Sequence, residues 1–403
     1  MKLLPNLYIF NPTCEAAIAN GTVSYSPNKT LARFEKDLAY LPSILAQNKD
    51  LVLMDKYEDL SHIELLHSLS FPTPGQILQS DFLTPNQKII SELNHYKLWG
   101  WAPNWIHRLK KPLDVPKFQK SSFYNWDNLH KEIHSRNTAK NILESILTQN
   151  PNTIYIPKEL KAQKLKSEED IEVFLTQHKQ IVLKEPWSSS GKGVLMLRKN
   201  TLNSAIKQRI KSILKQQTYL MGEPLLNKLM DMSMHFEIKN KEILYRGESY
   251  FKTNSNGQYR GNYLNCFPDN TDAEIIRFVE THKKNLQTDL KDAISQSPIP
   301  LLYEGNFGVD IMLVKINNQI KFQPCVEINL RNNMGTIALQ LQKIIHPEAK
   351  GILNIVVDTK VSFEQVYKEA ERKQIVENNR ILKGTLPLVS TKEKRFGAFI
   401  NLA

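Results

Sequence analysis

Two lysines and a run of serines and glycines stand between two strand-like segments near the middle of the chain. The first segment, Ile181–Leu183, is apolar and ends in Lys184, and the second runs from Val194 to Leu197. The residues between them include Ser188, Ser189, Ser190, Gly191, Lys192 and Gly193. A flexible loop of backbone N–H and hydroxyl donors can close over an anion that two lysines neutralise. The segment therefore predicts a triphosphate site, although a plain hairpin connection has a similar composition.

Two acidic residues and an amide lie on a predicted hairpin much later in the chain. Asp310 falls in one strand-like run, an Asn-Asn turn signal follows, and Ile320–Ile328 predicts the returning strand. Glu327 and Asn329 are two residues apart on that strand and so share a face, which Asp310 can join. Two carboxylates and an amide oxygen suit a Mg²⁺ ion that carries phosphates. A solvated hairpin face is the alternative, but acidic residues are depleted in strands.

The stretch between these two pieces predicts a strand, a short linker and a second strand. The linker begins at Glu223 and Pro224, continues through Leu225 and Leu226, and the second strand starts near Asp231. Backbone groups of such a linker could meet the edge of an adenine while Asp231 reaches ribose hydroxyls. A turn that contains proline and one acid is also commonplace, so this signal is open to both readings.

The order and content of these three pieces resemble the ATP-grasp superfamily. The resemblance makes Lys184 the phosphate-binding lysine, Ser188–Gly193 the glycine-rich loop, and Glu223–Leu226 the hinge that takes the adenine. The implied metal ligands are Asp310, Glu327 and Asn329. The resemblance also implies a fold of the α/β (α+β) class, in which an N-terminal α/β domain of the pre-ATP-grasp type precedes a two-lobed ATP-grasp domain with antiparallel sheets.

The resemblance further implies a reaction and its cofactors. ATP-grasp ligases use ATP and Mg²⁺ to activate a carboxylate as an acylphosphate, which an amine then captures. A phosphotransferase on the same fold and a non-catalytic nucleotide-binding protein are the alternatives. With 112–123 as the linker, we predict an N-terminal domain over 1–122, a lobe with the phosphate loop over 123–216 and a lobe with the metal site over 217–403.

Two arginines extend the predicted site. Arg331 lies two residues beyond Asn329, and its planar fork suits a transferring phosphoryl group or an acyl oxyanion. Arg136 shares one face of a predicted helix, Leu129–Ile146, with Lys140. ATP-grasp proteins often carry a basic residue that contacts phosphate near this point, which makes Arg136 an ATP-binding candidate. An ordinary surface position is the alternative for both arginines.

The first part of the chain has a β-α-β pattern. Leu7–Phe10 and Leu51–Met54 are strand-like, and Leu31–Leu45 has helical apolar spacing that Pro42 should end early. This order predicts parallel strands, and loops at the carboxyl ends of such strands usually hold ligands. The polar residues that follow the first predicted strand are Asn11, Glu15 and Asn20. They could meet the acceptor substrate, with ordinary turn chemistry as the alternative.

The polar segment 247–263 lies between the predicted hinge and the acidic hairpin. It is rich in aromatic residues and glycine, and it carries Lys252 and Arg260. These two cations could bind a substrate carboxylate. A lid or a plain hairpin loop would have the same composition.

Composition limits the class of protein. The chain has 403 residues, 41% of them hydrophobic and 23% charged, which is typical of a globular protein of two or three domains. Three distant cysteines support neither a disulfide framework nor a zinc site. The N-terminus makes a poor signal peptide, and no segment approaches the roughly 18 apolar residues of a membrane span. We therefore expect a cytoplasmic protein without a membrane partner.

The net charge is +12, from 53 Lys and Arg against 41 Asp and Glu. Nucleic-acid binding is one use of such a charge. The lysines are spread along the chain, however, without a recognisable nucleic-acid motif, so steering of an anionic nucleotide or acidic substrate is favoured. We expect small-molecule carboxylate and amine partners, with an amino acid or peptide-like substrate, and no nucleic acid; the sequence leaves a homodimer open.

Overall fold

The computed structural model describes residues 4–82, 93–110, 116–150, 154–188, 193–198, 202–254, 257–357 and 360–403. Its strands are β1 (Leu7–Ile9), β2 (Leu51–Met54), β3 (Gly75–Leu78), β4 (Tyr96–Leu98), β5 (Gln163–Leu165), β6 (Ile181–Lys184), β7 (Val194–Leu197), β8 (Leu220–Pro224), β9 (Lys228–Lys239), β10 (Glu242–Thr253), β11 (Tyr259–Leu264), β12 (Gly305–Ile316), β13 (Gln319–Asn329), β14 (Gly351–Val356), β15 (Ile375–Glu377), β16 (Arg380–Pro387) and β17 (Gly397–Leu402). Its α-helices are Cys14–Asn20, Lys29–Asp37, Leu60–Ser68, Gln79–Phe82, Pro103–Lys110, Pro116–Gln119, Asn128–Ile133, Arg136–Gln149, Glu168–His178, Ser204–Gln217, Ala273–Ser295, Ile299–Leu302, Met334–Ile344 and Phe363–Ala370.

The first sheet is parallel and has the strand order β3-β2-β1-β4. The helix Lys29–Asp37 and a 3₁₀ turn over Leu41–Leu45 connect β1 to β2. The predicted β-α-β unit is therefore confirmed. Pro42 stands at the start of the 3₁₀ turn, where its missing N–H costs no helical hydrogen bond.

A separate small core belongs to an antiparallel sheet with the order β5-β8-β6-β7. The helices Glu168–His178 and Ser204–Gln217 pack on it through Phe174 and Ile210, among others. The first of these helices begins with a capping box between Ser167 and Asp170. Because β8 pairs within this sheet, we place the end of the small lobe after β8 rather than at residue 216.

The largest sheet is antiparallel and has the order β13-β12-β9-β10-β11-β14-β17-β16-β15. Met232, Met234 and Val309 fill one of its faces, under the helices Arg136–Gln149 and Ala273–Ser295. The helix predicted over 129–146 is in fact two helices. The break falls before Arg136–Gln149, where Ser135 has extended backbone angles and stands at the N-cap. This helix belongs to the large sheet, although the predicted boundaries assign it to the small lobe.

Contacts from distant parts of the chain tie the first sheet to the last strands. The Lys394 ammonium lies 2.7 Å from a Glu58 carboxylate oxygen, and a second acid, Asp37, accepts a hydrogen bond from the backbone N–H of Arg395. The predicted linker also packs: Phe118 and Phe123 are buried in the core of the large sheet. Residues 112–115 of that linker lie outside the described part.

The three cysteines are free thiols, as the sequence predicts. None of the helices in the described ranges has both the length and the apolar character that crossing a bilayer requires. These findings leave packing and ion pairs, rather than disulfides, as the interactions that hold the described elements together.

Candidate active site

The floor of the site is the hairpin of β12 and β13, on the face of the large sheet opposite its main core. Asn317 and Asn318 turn the chain with positive φ angles of 48° and 62°, as a two-residue hairpin turn requires. The pairing register of β12 and β13 shifts between Met312 and Asp310. As a result, Asp310 pairs directly with Glu327. Directly opposed residues share one face of a sheet. The predicted hairpin is thus confirmed, and its two acids lie side by side.

Burial and the neighbouring Glu327 raise the pKa of Asp310 to about 6. The Asp310 carboxylate accepts hydrogen bonds from the Ser233 hydroxyl and, over 3.0 Å, from the Asn329 amide nitrogen. Two carboxylates in such proximity favour a cation between them. Their oxygens, with the amide oxygen of Asn329, are the donor type that Mg²⁺ prefers, so this set fits the ion. In the described ranges, no larger group of His, Cys, Asp and Glu forms a metal site.

Arg136 lies against these acids. Its Nη1 is 2.8 Å from Oε2 of Glu327, and its Nε donates to the carbonyl of Glu185 over 3.1 Å. The backbone N–H of Arg136 donates to the carbonyl of Pro186 over 2.9 Å. The start of the helix Arg136–Gln149 is therefore anchored to the chain that follows β6. Burial opposes the charge of Arg136, but Glu327 and other carboxylates raise its pKa above the ordinary value.

Lys184 ends β6 and is almost fully buried. Its Nζ lies 2.6 Å from Oε2 of Glu223 on the neighbouring strand β8. The predicted phosphate lysine and the first hinge residue are thus joined as an ion pair. A ligand phosphate near Lys184 would replace this carboxylate or share the ammonium with it.

The described ends of the predicted phosphate loop come close together. The backbone N–H of Glu185 donates to the carbonyl of Gly193 over 2.9 Å, and a Cβ at Gly193 would lie 2.3 Å from Oγ of Ser188. This close approach explains why glycine occupies position 193. The other predicted loop residues, which lie outside the described part, are Ser189, Ser190, Gly191 and Lys192.

Arg331 lies just beyond the end of β13 and connects Asn329 to the first domain. Its Nη2 donates to Oδ1 of Asn329 over 3.0 Å, and its Nε lies 2.8 Å from Oε1 of Glu15. Glu15 belongs to the helix that follows β1. Despite burial, Glu15 and other neighbouring acidic groups raise the pKa of Arg331 above its ordinary value, so the guanidinium is charged.

The predicted hinge residues make their contacts within the small sheet. The backbone N–H of Leu225 donates to the carbonyl of Gln180 over 3.0 Å, so this donor is engaged within the protein. Asp231 stands two positions before Ser233 on β9 and therefore shares the face of Asp310. The Asp231 carboxylate lies 2.6 Å from the ammonium of Lys228.

The remaining candidates lie in other environments. Both amide atoms of Asn11 bond the backbone of Gly100, which joins the loops after β1 and β4, and Asn20 accepts hydrogen bonds from Thr22 in a local turn. These contacts are structural. Lys252 lies on the face of β10 opposite to that of Asp231, because its neighbour Phe251 pairs with Asp231; its role toward a substrate carboxylate stays a prediction. Arg260 is exposed at a register shift between β10 and β11.

Two polar residues of β9 support the site without having been predicted. Ser233 bonds Asp310, and His235 donates or accepts a 2.8 Å hydrogen bond with the Ser249 hydroxyl. Both follow Asp231 at intervals of two, with the apolar Met232 and Met234 between them. This alternation could have identified Ser233 and His235 from the sequence, because it places their side chains on the same face as that of Asp231.

No family model matches the chain, and no curated protein matches it by sequence. Solved structures do resemble it. N5-carboxyaminoimidazole synthetase from Staphylococcus aureus, complexed with ADP, is 13% identical with a TM-score of 0.50, covering 100% of this chain and 94% of that chain. An ADP complex of N5-carboxyaminoimidazole ribonucleotide synthetase is 12% identical with a TM-score of 0.51, at coverages of 100% and 94%.

A biotin carboxylase complex with ATP from Campylobacter jejuni is 11% identical with a TM-score of 0.50, covering 100% of this chain and 88% of that chain. These similarities extend over the whole chain and include the parallel first sheet as well as the two antiparallel sheets. The expected architecture is therefore confirmed: the chain has the ATP-grasp fold, preceded by an α/β domain.

Proposed function

We propose that this protein is an ATP- and Mg²⁺-dependent ligase that activates a carboxylate as an acylphosphate and joins it to an amine. The observation that carries the proposal is the direct pairing of Asp310 with Glu327 on one sheet face, with two buried cations and one half-buried cation in the same part of the structure. The cations are Lys184, Arg136 and Arg331. A structural hairpin does not need two facing carboxylates, whereas a magnesium–nucleotide site does.

The ATP-grasp fold supports the choice of nucleotide. Solved structures that share this fold are described as complexes with ADP or ATP. In this chain, Lys184 and Arg136 would bind the phosphates, with the loop from Ser188 to Gly193 above them. The linker at Glu223 and Leu225 would contact the adenine, and Asp231 the ribose.

The metal would be held by Asp310, Glu327 and the amide oxygen of Asn329. When bound, Mg²⁺ neutralises charge on the phosphate oxygens and helps to orient them. In the present arrangement Oδ1 of Asn329 accepts from Arg331 and its Nδ2 donates to Asp310. Asn329 would serve as a ligand after its amide turns over, which exchanges the positions of oxygen and nitrogen.

Arg331 would stabilise the reacting oxygens. In the first step a substrate carboxylate oxygen attacks the γ-phosphorus, the bond from that phosphorus to the bridging oxygen breaks, and ADP leaves. In the second step the amine lone pair forms the C–N bond, the C–O bond to phosphate breaks, and inorganic phosphate leaves as the nitrogen loses a proton. The guanidinium fork can contact two oxygens at once during either step.

A screen of paired carboxylates and amines tests the proposal. Each pair is incubated with ATP and Mg²⁺, and ADP, inorganic phosphate and the coupled product are measured. A ligase forms all three when both substrates are present. Hydroxylamine, a small neutral nucleophile, is then used in place of the amine to trap the acylphosphate as a hydroxamate.

The products separate the alternatives. A phosphotransferase would leave the phosphoryl group on its product and form no hydroxamate. A non-catalytic nucleotide-binding protein would bind ATP without producing ADP in any combination. Either pattern, obtained over a broad panel, would overturn the ligase proposal.

A further inference from the structure

Ser233 lies next to the paired acids inside the large sheet. It belongs to β9 and pairs with Asp310 on β12, which pairs in turn with Glu327 on β13. The three side chains therefore form one row across the sheet, on a single face. Ser233 is only 5% exposed, and β9 has a hydrogen-bonded strand on each side, so the position of its hydroxyl group is well defined.

The two carboxylate oxygens of Asp310 have different partners. Oδ1 accepts a hydrogen bond from the Ser233 hydroxyl, and Oδ2 accepts one from the Asn329 amide nitrogen over 3.0 Å. Asn329 is itself a proposed metal ligand, and the turn of its amide would withdraw its nitrogen and free Oδ2. Ser233 is not in the proposed ligand set and has no reason to release Oδ1. Asp310 is therefore left with one oxygen to offer.

A carboxylate with one available oxygen discriminates between divalent ions. Ca²⁺ takes six to eight oxygen ligands and often binds both oxygens of a carboxylate, whereas Mg²⁺ is smaller and requires near-octahedral geometry. An oxygen that already accepts a hydrogen bond is less available for the two-oxygen contact that Ca²⁺ uses. A merely structural role for Ser233, in which its hydroxyl only satisfies a buried carboxylate, predicts the same hydrogen bond but no discrimination between the ions.

We propose that Ser233 is a positioning residue that makes Asp310 a one-oxygen metal ligand and thereby selects Mg²⁺ over Ca²⁺ in the nucleotide site. The inference rests on the proposed function, from which it takes the metal ligands, and adds the ion selectivity of the site. Ser233 acts through Asp310 and does not contact the ion itself. Its hydroxyl holds Oδ1 and so fixes the direction in which Oδ2 points.

Calorimetric titrations of ADP, which has no γ-phosphoryl group to transfer, test this assignment. The wild-type protein and Ser233→Ala are each titrated in excess Mg²⁺, in excess Ca²⁺ and in EDTA. The wild-type protein should bind ADP more tightly with Mg²⁺ than with Ca²⁺. In Ser233→Ala the Kd with Mg²⁺ should rise by about tenfold, a loss typical of removing a group that orients a metal ligand. The Kd with Ca²⁺ should change less, because the freed Oδ1 can join Oδ2, and the Kd in EDTA should be unaltered.

Three further variants complete the test. Ser233→Thr retains a hydroxyl group and should retain the preference for Mg²⁺. Ser249→Ala is the matched control, because Ser249 is a buried serine directly opposite Ser233 whose hydroxyl bonds His235 and Asn262 instead of an acid; it should leave all three Kd values unaltered. If circular dichroism shows that Ser233→Ala does not fold, Ser233→Cys takes its place, since a thiol is a weak donor of similar size.

Three outcomes contradict the inference. They are a wild-type protein that binds ADP at least as tightly with Ca²⁺ as with Mg²⁺, an undiminished Mg²⁺ preference in Ser233→Ala, and a loss of that preference in Ser233→Thr as large as in Ser233→Ala. A Kd that rises equally with Mg²⁺, with Ca²⁺ and in EDTA leaves the preference undiminished and would show that Ser233 is only structural. If the wild-type affinity for ADP is the same in Mg²⁺ and in EDTA, the metal site of the proposed function fails instead, so the two failures are distinguishable.

Discussion

Replacing Asp310 with asparagine should stabilise the metal-free protein at alkaline pH. Burial and Glu327 raise the pKa of Asp310 from 3.8 to about 6 in the folded chain, so the folded state disfavours the ionised carboxylate. At 1.36 kcal/mol for each pKa unit, ionisation costs the folded state about 3 kcal/mol above pH 6. Asparagine carries no charge and can still exchange hydrogen bonds with Ser233 and Asn329.

The sign of the pH dependence follows from linkage. A carboxylate whose pKa is raised by folding contributes stability below its unfolded pKa, and this contribution is lost as the pH rises through the folded value. For Asp310 the loss falls between about pH 4 and pH 6. The advantage of Asp310→Asn should therefore be about 3 kcal/mol at pH 8, about half of that at pH 5, and close to zero near pH 3.5.

Urea unfolding with EDTA present, followed by tryptophan fluorescence at these pH values, measures the difference. Asp269→Asn alters an exposed carboxylate in a turn and serves as the matched control, with little change expected at any pH. A second arm adds Mg²⁺ and ADP, which should stabilise the wild-type protein more than Asp310→Asn. If Asp310→Asn is destabilising at pH 8, or its effect is independent of pH, the argument that two crowded carboxylates await a cation is wrong.

Two other predictions concern the phosphate lysine and a tight packing contact. Lys184→Ala should weaken ATP binding by about 1.5–3 kcal/mol in calorimetric titration, whereas Lys207→Ala, which alters a partly exposed lysine paired with Glu172, should not; equal affinities would remove Lys184 from the nucleotide site. Gly335→Ala should lower the free energy of unfolding by about 1–3 kcal/mol, because a Cβ there would lie 2.3 Å from the buried ring of His235. An unaltered melting temperature would contradict this close contact.

The sequence was most informative where local signals decide the structure. The Asn-Asn turn fixes the hairpin of β12 and β13, and strand alternation places Glu327 and Asn329 on one face. Their position opposite Asp310 depends on the register shift between Met312 and Asp310. Pro324 lies in the part of β13 where the register shifts, and it has no backbone N–H to donate to the neighbouring strand. The register shift therefore also has a local cause.

Local sequence signals could not predict the contacts between distant segments of the chain. Arg331 pairs with Glu15, and Arg136 pairs with Glu327, although each pair is separated by a large part of the chain. No periodicity or spacing predicts them, because they depend on how the sheets pack together. The break before Arg136 was missed for a different reason: Ser135 has extended backbone angles at the N-cap, but its side chain makes no capping hydrogen bond.

A calorimetric titration of ATP tests the central claim most directly. The wild-type protein and Glu327→Gln are each titrated in excess Mg²⁺ and in EDTA. Because Glu327 is proposed to hold the metal beside Asp310, the wild-type protein should bind ATP more tightly with Mg²⁺ than with EDTA, and Glu327→Gln should lose most of that difference while still folded by circular dichroism. Wild-type affinities that do not differ between Mg²⁺ and EDTA, or a variant that keeps the full difference, would contradict the account.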